Sequence, residues 1–296
     1  MAEPAAATLG GLMSRTRRAL AAAGIEEAPL DARLIVMHAA GVGLTELVAD
    51  PQRPVEAAVA AATRAAAARR AAGEPVHRIV GRRAFYGLEL ALSPDTLEPR
   101  PDTETLVDLV LPAAEAIAAR TGVCDILDLG TGSGAIALAL LSRLPQARAV
   151  GLDICEGALA TARANADMNG CGDRFETCRS DWFAAVNRPF HIIVSNPPYV
   201  RSIEWAGLSR EVREHDPKRA LDGGVDGLDA YRRIAAEADR FLIAGGRLAV
   251  EFGHDQQDAV AALFQAHGFE ALEARRDLGG RPRAALFARR KDLESM

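Results

Sequence analysis

The residues best suited to chemistry are the tetrapeptide Asn196-Pro197-Pro198-Tyr199 and the glycine-rich run Gly130-Thr131-Gly132-Ser133-Gly134. Two consecutive prolines fix two φ angles and remove two backbone donors. Asn196, standing before a proline, is pushed to an extended conformation. Such a turn offers a rigid set of acceptors, the Asn196 side-chain oxygen and the Pro197 carbonyl, with the Tyr199 ring expected as an aromatic face beside them. That array suits a planar NH2 group, whose two hydrogens are accepted while its face is turned toward an electrophilic methyl. An amide nitrogen is a weak nucleophile, because its lone pair is shared with the carbonyl on the scale of the ~18–20 kcal/mol barrier to amide rotation. Acceptors on its N–H groups return electron density to nitrogen, and an in-line hold supplies effective concentration. The amide proton becomes acidic as the new bond forms, so the chemistry does not require a strong dedicated base.

The glycine run follows the apolar stretch Asp125 to Leu129, and a helical stretch follows it. Glycines there permit a tight turn and let a ligand approach the backbone. A second strand ends at Asp153, 19 residues after Gly134, where a carboxylate can accept from both ribose hydroxyls of an adenosine cofactor. Gly130, Gly132 and Ala135 also satisfy a dinucleotide fingerprint, so the loop points to an adenosine cofactor without choosing one. After a third strand, Asp181 of Ser180-Asp181-Trp182-Phe183 can accept from an adenine amine and Trp182 can cover its ring; Ser180 or Asp181 capping a helix is an equal reading. Hydride transfer has no use for the acceptor tetrapeptide, so the combination favours methyl transfer from S-adenosylmethionine, with S-adenosylhomocysteine as product.

The elements that position these residues fall in two parts. Residues 1–75 are rich in alanine, arginine and leucine. Leu9, Leu12, Met13, Thr16 and Leu20, then Leu30, Leu34, Ile35 and His38, follow helical spacing, and Val55 to Ala72 favours helix by propensity. Pro29 fits a first helical turn, and Pro51 and Pro54 mark a break. A small helical bundle is predicted. Residues 76–98, with Ile79-Val80, Phe85-Tyr86-Gly87 and Leu88 to Leu92, read as a β-hairpin linker. Arg69, Arg70, His77, Arg78, Arg82 and Arg83 make that neighbourhood basic, which reads first as solvated surface and second as a site for an acidic or nucleic-acid partner. From 99 to 296 strands and helices alternate: strands at 124–129, 149–152, 175–178, 190–195, 247–252, 269–275 and 284–289, with helices at 135–144, 156–169, 228–241 and 255–266. That order implies an α/β domain with a mostly parallel sheet covered on both faces, whose ligands bind beyond the C-terminal strand ends.

The net charge of −5 argues against a general coat on nucleic acid. Cys124, Cys155, Cys171 and Cys178 form no CxxC pair and have no histidine at metal spacing, so no metal is expected and the thiols read as reduced in a cytoplasmic protein. No apolar run is long enough to span a membrane. Glu3 and Pro4 do not fit a secretory signal.

Assembled, these residues resemble the HemK/PrmC family of release-factor glutamine methyltransferases over nearly the whole chain. The likeness takes in Gly73-Glu74-Pro75, the Gly81 to Gly87 region, Pro99-Arg100-Pro101-Asp102-Thr103-Glu104, the glycine loop, Ser180 to Phe183 and the Asn-Pro-Pro-Tyr motif. It continues through Ala220-Leu221-Asp222-Gly223-Gly224, Glu251-Phe252-Gly253 and Gln256. The segment from Arg100 to Glu104 is the most family-specific. The resemblance implies a class I, Rossmann-like methyltransferase with a seven-stranded sheet and an N-terminal helical domain that helps hold a protein substrate. That substrate would be the Gly-Gly-Gln loop of class 1 peptide chain release factors, methylated on the glutamine amide by a monomeric enzyme. It also implies that Gly130 to Gly134, Asp153 and Trp182 contact the cofactor, that Asn196 to Tyr199 hold the glutamine with Asn196 also close to the methyl donor, and that Arg100 and Glu104 organise the site. The chain departs from the family pattern at His215-Asp216-Pro217, where Glu-Pro is usual, and at Glu98, where an apolar residue is common. Methylation of an exocyclic adenine or guanine amine, or of a ribosomal-protein glutamine, would use the same local chemistry. A binding module without catalysis would be expected to have lost Asp153 or Asn196, and both are present.

Overall fold

The computed structural model describes residues 7–294; Glu3 and Pro4 lie outside them. The chain divides into two compact units, one reaching to Arg82 and taking in residues 210–215, the other formed by 83–209 and 216 onward.

The first unit is helical, with α1 (Leu9–Ala22), α2 (Ala28–Ala40), α3 (Leu44–Ala49), α4 (Ala57–Ala71), α5 (Val76–Val80) and the later α9 (Arg210–His215). The Thr8 hydroxyl caps α1 by accepting from the Gly11 N–H at 3.1 Å. Leu9, Leu12, Val36, Val42 and Leu47 form one apolar cluster, and Leu20, Ala28, Ala32, Ile35 and Val76 another. The inward face of α2 is therefore not the stripe expected from spacing: Ile35 is buried, but Leu30 is 37% exposed and Ala28, Asp31, Ala32 and Val36 turn inward. The cause is Asp31. It looks like a solvent residue, yet it is buried by pairing with Arg70 of α4 (Nε–Oδ2 2.5 Å), and Arg70 also reaches Glu211 of α9 at 2.7 Å. A buried charge is tolerated when paired in this way. Arg70 is therefore not the solvated cation expected, whereas Arg69, bound by Glu74, stays on the solvent-exposed surface as expected. Ile79-Val80 is helical rather than extended, because Pro75 opens a short helix and Gly81 closes it at φ 71°.

The second unit opens on a hairpin, β1 (Arg82–Phe85) and β2 (Leu88–Ala91), turned by Tyr86 and Gly87 at φ 51° and 81°. Then follow α6 (Glu104–Thr121), β3 (Cys124–Leu129), α7 (Ala135–Arg143), β4 (Ala147–Asp153), α8 (Glu156–Met168), β5 (Phe175–Arg179) and β6 (Phe190–Ser195). After α9 come α10 (Asp229–Glu237), β7 (Leu242–Glu251), α11 (Gln257–Ala266), β8 (Phe269–Arg276) and β9 (Pro282–Arg289). The helix α6 is absent from the alternation read above; Pro112 sits inside it, yet Leu106, Val107, Leu109, Val110, Ala114 and Ile117 form a buried stripe. Tertiary burial of that stripe overrides the local penalty of the proline.

The seven strands of the main sheet run in the order β5-β4-β3-β6-β7-β9-β8. The pairs from β5 to β7 are parallel, and β9 is antiparallel to both its neighbours. Alternate strand residues feed two cores. Ile126, Ile192, Val194 and Ala249 pack with α6 and α7, while Leu127, Ile193, Leu248 and Val250 pack with α10 and α11. Strand order reverses between β3 and β6, which opens the crevice at their C-terminal ends. Among the described residues no helix is long and apolar enough to cross a membrane.

Candidate active site

The sheet register places the site. Leu129 of β3 pairs with Leu152 of β4 on one side and Ser195 of β6 on the other, and Ser195 pairs with Val250 of β7. The residues that follow are Asp153, Gly130, Asn196 and Glu251, so four strands deliver them side by side along one sheet edge. The Ser195 hydroxyl donates to the Leu129 carbonyl at 2.7 Å, and the Thr131 N–H donates to the Leu152 carbonyl at 2.8 Å, tying the row together.

Above this edge lies a cavity of about 610 Å³. Gly130, Thr131, Gly132 and Ser133 line it from one side, with Asp153, Asp181 and Trp182. Asn196, Pro198 and Arg100 line it from the other. Gly130, Gly132 and Gly134 have φ of 70°, 55° and 83°, a left-handed path that side chains resist. Asp153 accepts from the Gly132 N–H at 3.0 Å and from the Cys155 N–H at 2.9 Å, which leaves lone pairs of both carboxylate oxygens free to accept more. Ser180 caps no helix: its hydroxyl closes a turn by donating to the Trp182 carbonyl at 2.7 Å and accepting from the Ala185 N–H at 3.0 Å.

Gly134, Glu104, Pro197 and Tyr199 do not line the cavity. Gly134 starts α7. Glu104 accepts from the Tyr86 N–H at 2.8 Å, fastening the hairpin to α6. In an extended chain successive residues point to opposite sides, so Asn196 and Pro198 face the cavity while Pro197 and Tyr199 face the protein. Tyr199, expected as an aromatic face beside the acceptors, does not line the cavity itself. The Tyr199 ring packs on the core of the α10–α11 side, and its hydroxyl donates to Glu251 Oε1 at 3.3 Å.

The acceptor turn is braced from behind. The Val200 N–H donates to the Leu221 carbonyl at 2.9 Å and the Gly223 N–H to the Val200 carbonyl at 2.8 Å. A Cβ on Gly223 would fall 2.7 Å from the Pro198 oxygen, so only glycine allows this approach. The Gln256 side chain donates to the Tyr199 carbonyl at 3.0 Å. Both departures from the family pattern find partners: Asp216 holds Arg100 at 2.6 Å, and buried Glu98 is paired with Arg83 at 3.2 Å.

Residues that spacing did not single out complete the site. The Asn196 Nδ2 group donates to the Thr103 hydroxyl at 3.2 Å. Glu251 is 1% exposed, and burial pushes its carboxyl up to about 7 against the opposing pull of the Thr103 hydroxyl and Arg283. The Tyr231 hydroxyl donates to the Glu251 carbonyl at 2.8 Å. Burial also raises Asp128 to about 7, with the Thr131 hydroxyl donating to it at 2.7 Å. The signal for Glu251 is its position, an acidic residue ending an apolar strand as Asp153 does.

These features fit S-adenosylmethionine. The volume lies in the usual range of about 300–1,000 Å³ for a ligand pocket. The glycine path admits close approach, Asp153 presents free lone pairs, and the apolar side chains of Ile136, Leu152 and Ile154 line the same space. Fold and cavity together define a class I S-adenosylmethionine-dependent methyltransferase.

Residues 12–81 match the PrmC N-terminal domain and residues 112–210 the Methyltransferase small domain. The release factor glutamine methyltransferase of Agrobacterium fabrum is 51% identical over 283 residues, covering 96% of this chain and 98% of its own. That of Rhodospirillum rubrum is 46% identical over 289 residues, covering 98% and 87%. Among solved structures, the hMettl16 catalytic domain in complex with the MAT2A 3'UTR hairpin 6 aligns with a TM-score of 0.55 at 15% identity, over 75% of this chain and 81% of that one. At that identity the likeness bears on the fold alone. The chain belongs to the release factor glutamine methyltransferase family.

Proposed function

We propose that this enzyme methylates the side-chain amide nitrogen of the glutamine in the Gly-Gly-Gln loop of class 1 peptide chain release factors, in the cytoplasm. The observation that carries the reading is the adjacency of Gly130 and Asn196 at the sheet edge, set by the Leu129–Ser195 pairing. S-adenosylmethionine, when bound, supplies a methyl group on a cationic sulfur and leaves as S-adenosylhomocysteine. Asn196 Oδ1 and the backbone carbonyl of Pro197, whose ring turns away from the cavity, accept the two N–H groups of the substrate amide, orient its face and enrich its nitrogen. Among the described residues no donor engages Asn196 Oδ1, so the oxygen is free for this role. The prolines keep the acceptors rigid, so little ordering is required when substrate binds. Asp153 takes the ribose hydroxyls, and Asp181 and Trp182 take the adenine.

A protein substrate also suits the rim. Ile203 and Val225 are 85% and 87% exposed, and they follow Ser202 and Gly224, cavity-lining residues joined by a 2.8 Å hydrogen bond. Large exposed aliphatic side chains beside a catalytic cavity fit an apolar partner surface. The helical N-terminal unit holds the body of the substrate protein.

The test is transfer of labelled methyl to a purified class 1 release factor, beside its Gln→Ala loop variant and unmethylated DNA. Label that disappears with the glutamine is the expected result. Label on DNA alone would sink the protein-substrate reading and leave a base methyltransferase.

A further inference from the structure

We infer, on the reading above that Asn196 and its neighbours hold the substrate glutamine, that Arg219 is a positioning residue tying the acceptor turn to the cofactor wall. An occupied cofactor site then strengthens the hold on the glutamine.

Arg219 belongs to a tight helical turn, Lys218–Ala220, in which the Leu221 N–H donates to the Lys218 carbonyl at 3.0 Å. Its backbone is thereby fixed to the stretch that braces the tetrapeptide, where the Leu221 carbonyl accepts the Val200 N–H and Gly223 packs against Pro198. Its side chain reaches the other wall. The Arg219 Nη2 donates to Asp95 Oδ1 at 2.8 Å and to the Asp95 carbonyl at 3.3 Å, and lies 2.8 Å from Cys155 Sγ. Both partners belong to the wall that takes the cofactor. Cys155 is the N-cap residue of α8, and its N–H is one of two that fix the Asp153 carboxylate. Asp95 presses on the first turn of the same helix, where a Cβ on Gly157 would collide with its carboxylate. A carboxylate is favoured at that end of a helix. The loop carrying Asp95 is itself fastened to α8, since Asn165 Oδ1 accepts the Ala91 N–H at 2.7 Å and the Thr161 and Ser93 hydroxyls are bonded at 2.9 Å. Asp95 and Arg219 line the cavity together with Asp153 and Ile154. Arg219 is therefore a strut between the walls.

The strut is weak by itself. The side chains of Arg219 and Asp95 are 48% and 46% exposed, and ion pairs so open to water add little stability and part readily. A ligand against Asp153 and Ile154 restrains Cys155 and the first turn of α8, and so holds the surface on which Arg219 closes. With the strut closed the brace is ordered before the glutamine arrives, and less ordering remains for substrate binding. The coupling is reciprocal, so substrate on the acceptor turn retains the cofactor by the same factor. Asp216 ties the start of this segment to Arg100 at 2.6 Å, so loss of Arg219 loosens the brace without freeing the whole segment.

The test is amide hydrogen exchange at Val200 and Gly223, the two amides of the brace, with and without S-adenosylhomocysteine. In the wild-type protein saturating S-adenosylhomocysteine slows their exchange about tenfold, within the range of about 5–150-fold usual for coupled sites. In Arg219→Ala and in Asp95→Ala the slowing shrinks below about twofold, and the double variant loses no more than either single one because both remove the same link. Arg219→Lys, which keeps the charge but not the planar fork, retains part of it. Calorimetric affinity for S-adenosylhomocysteine alone holds within about threefold in each variant, as the loss of one exposed pair implies. Equal slowing in the wild type and Arg219→Ala would overturn the strut. So would slowing preserved beside a large drop in affinity, which would make Arg219 a cofactor contact. If the wild-type amides slow as expected but no methyl reaches a release factor, the substrate reading fails and the strut stands on the exchange data.

Discussion

The two walls of the cavity solve their positioning problems by different means. The cofactor wall is made of backbone: Gly130, Gly132 and Gly134 bend the chain into a left-handed path, and Asp153 at the end of β4 pins the loop by accepting from the Gly132 N–H. The loop and the carboxylate that pins it lie within 24 residues of one another, from Gly130 to Asp153. The acceptor wall is made of side chains gathered from across the unit, with Thr103, Gly223, Glu251 and Gln256 all supporting the tetrapeptide at 196–199. A loop that must admit a ligand is shaped by what it lacks, whereas an acceptor that must point one way is held by partners behind it. Damage to the first wall should therefore appear in cofactor binding, and damage to the second in turnover.

The sharpest way to break that contrast is Asn196→Ala. Loss of a preorganised polar group at a reacting centre typically costs about 10²–10³ in kcat, so transfer is expected to fall by that amount. Binding of S-adenosylmethionine, followed by calorimetry, should hold within about threefold. Near-normal turnover in this variant would remove Asn196 from the chemistry and make both walls mere supports for a cofactor.

The next effect is on stability. Burial raises Asp128 beneath the cofactor loop from 3.8 to about 7. The unfolded carboxyl ionises near 4 and the folded one near 7, so the contribution of the protonated form is complete below about pH 4 and is lost as pH rises through 7. At about 1.4 kcal/mol per pH unit, over the roughly three units between them, the loss is on the order of 4 kcal/mol. Melting temperature should therefore drop between pH 4 and 7, and Asp128→Asn should flatten part of that drop. Glu251, raised to about 7 by the same cause, sustains the remainder. A wild-type melting temperature independent of pH across that interval would show that neither carboxyl titrates there.

The difference between the walls also explains what was legible in the sequence. The glycine loop, Asp153 and the tetrapeptide are contiguous signals, and the strands carrying them are short apolar runs at residues 124–129 and 190–195, with the observed β3 and β6 matching both. The contact of Thr103 with Asn196 is not legible, because the two lie 93 residues apart and no local pattern records that distance. Tyr199 is held by the core and by Glu251, 52 residues on, a partner that the contiguous motif does not record. The inward face of α2 was misjudged for a related reason. Asp31 is polar by type but buried by its bond to Arg70, 39 residues on. The long helix α6 was missed because Pro112 interrupts a run that only packing reveals as a buried stripe.

Asp153→Ala sharpens the contrast from the cofactor side. The variant removes a carboxylate that serves ligand and loop together, and a hydrogen bond to a charged group is worth about 1.5–3 kcal/mol. Affinity for S-adenosylmethionine is expected to weaken about 10- to 100-fold, with kcat at saturating cofactor reduced far less than in Asn196→Ala. Equal losses in both quantities would mean that Asp153 also shapes the acceptor side.

The smallest effect separates both walls from the rim. Ile203 and Val225 are 85% and 87% exposed, so each side chain is almost wholly in solvent in the free protein. If a protein surface covers them, each gains only part of the ~1.5–3 kcal/mol available from full burial of an aliphatic side chain. Replacing both with serine should raise the KM for a release factor about three- to tenfold, while leaving the KM for S-adenosylmethionine and the melting temperature unchanged. A short glutamine peptide that does not reach the rim should be methylated equally well by the variant and the wild type. If the double variant loses activity on the peptide as well, the rim acts through the Ser202–Gly224 link on the acceptor wall and is not a separate surface.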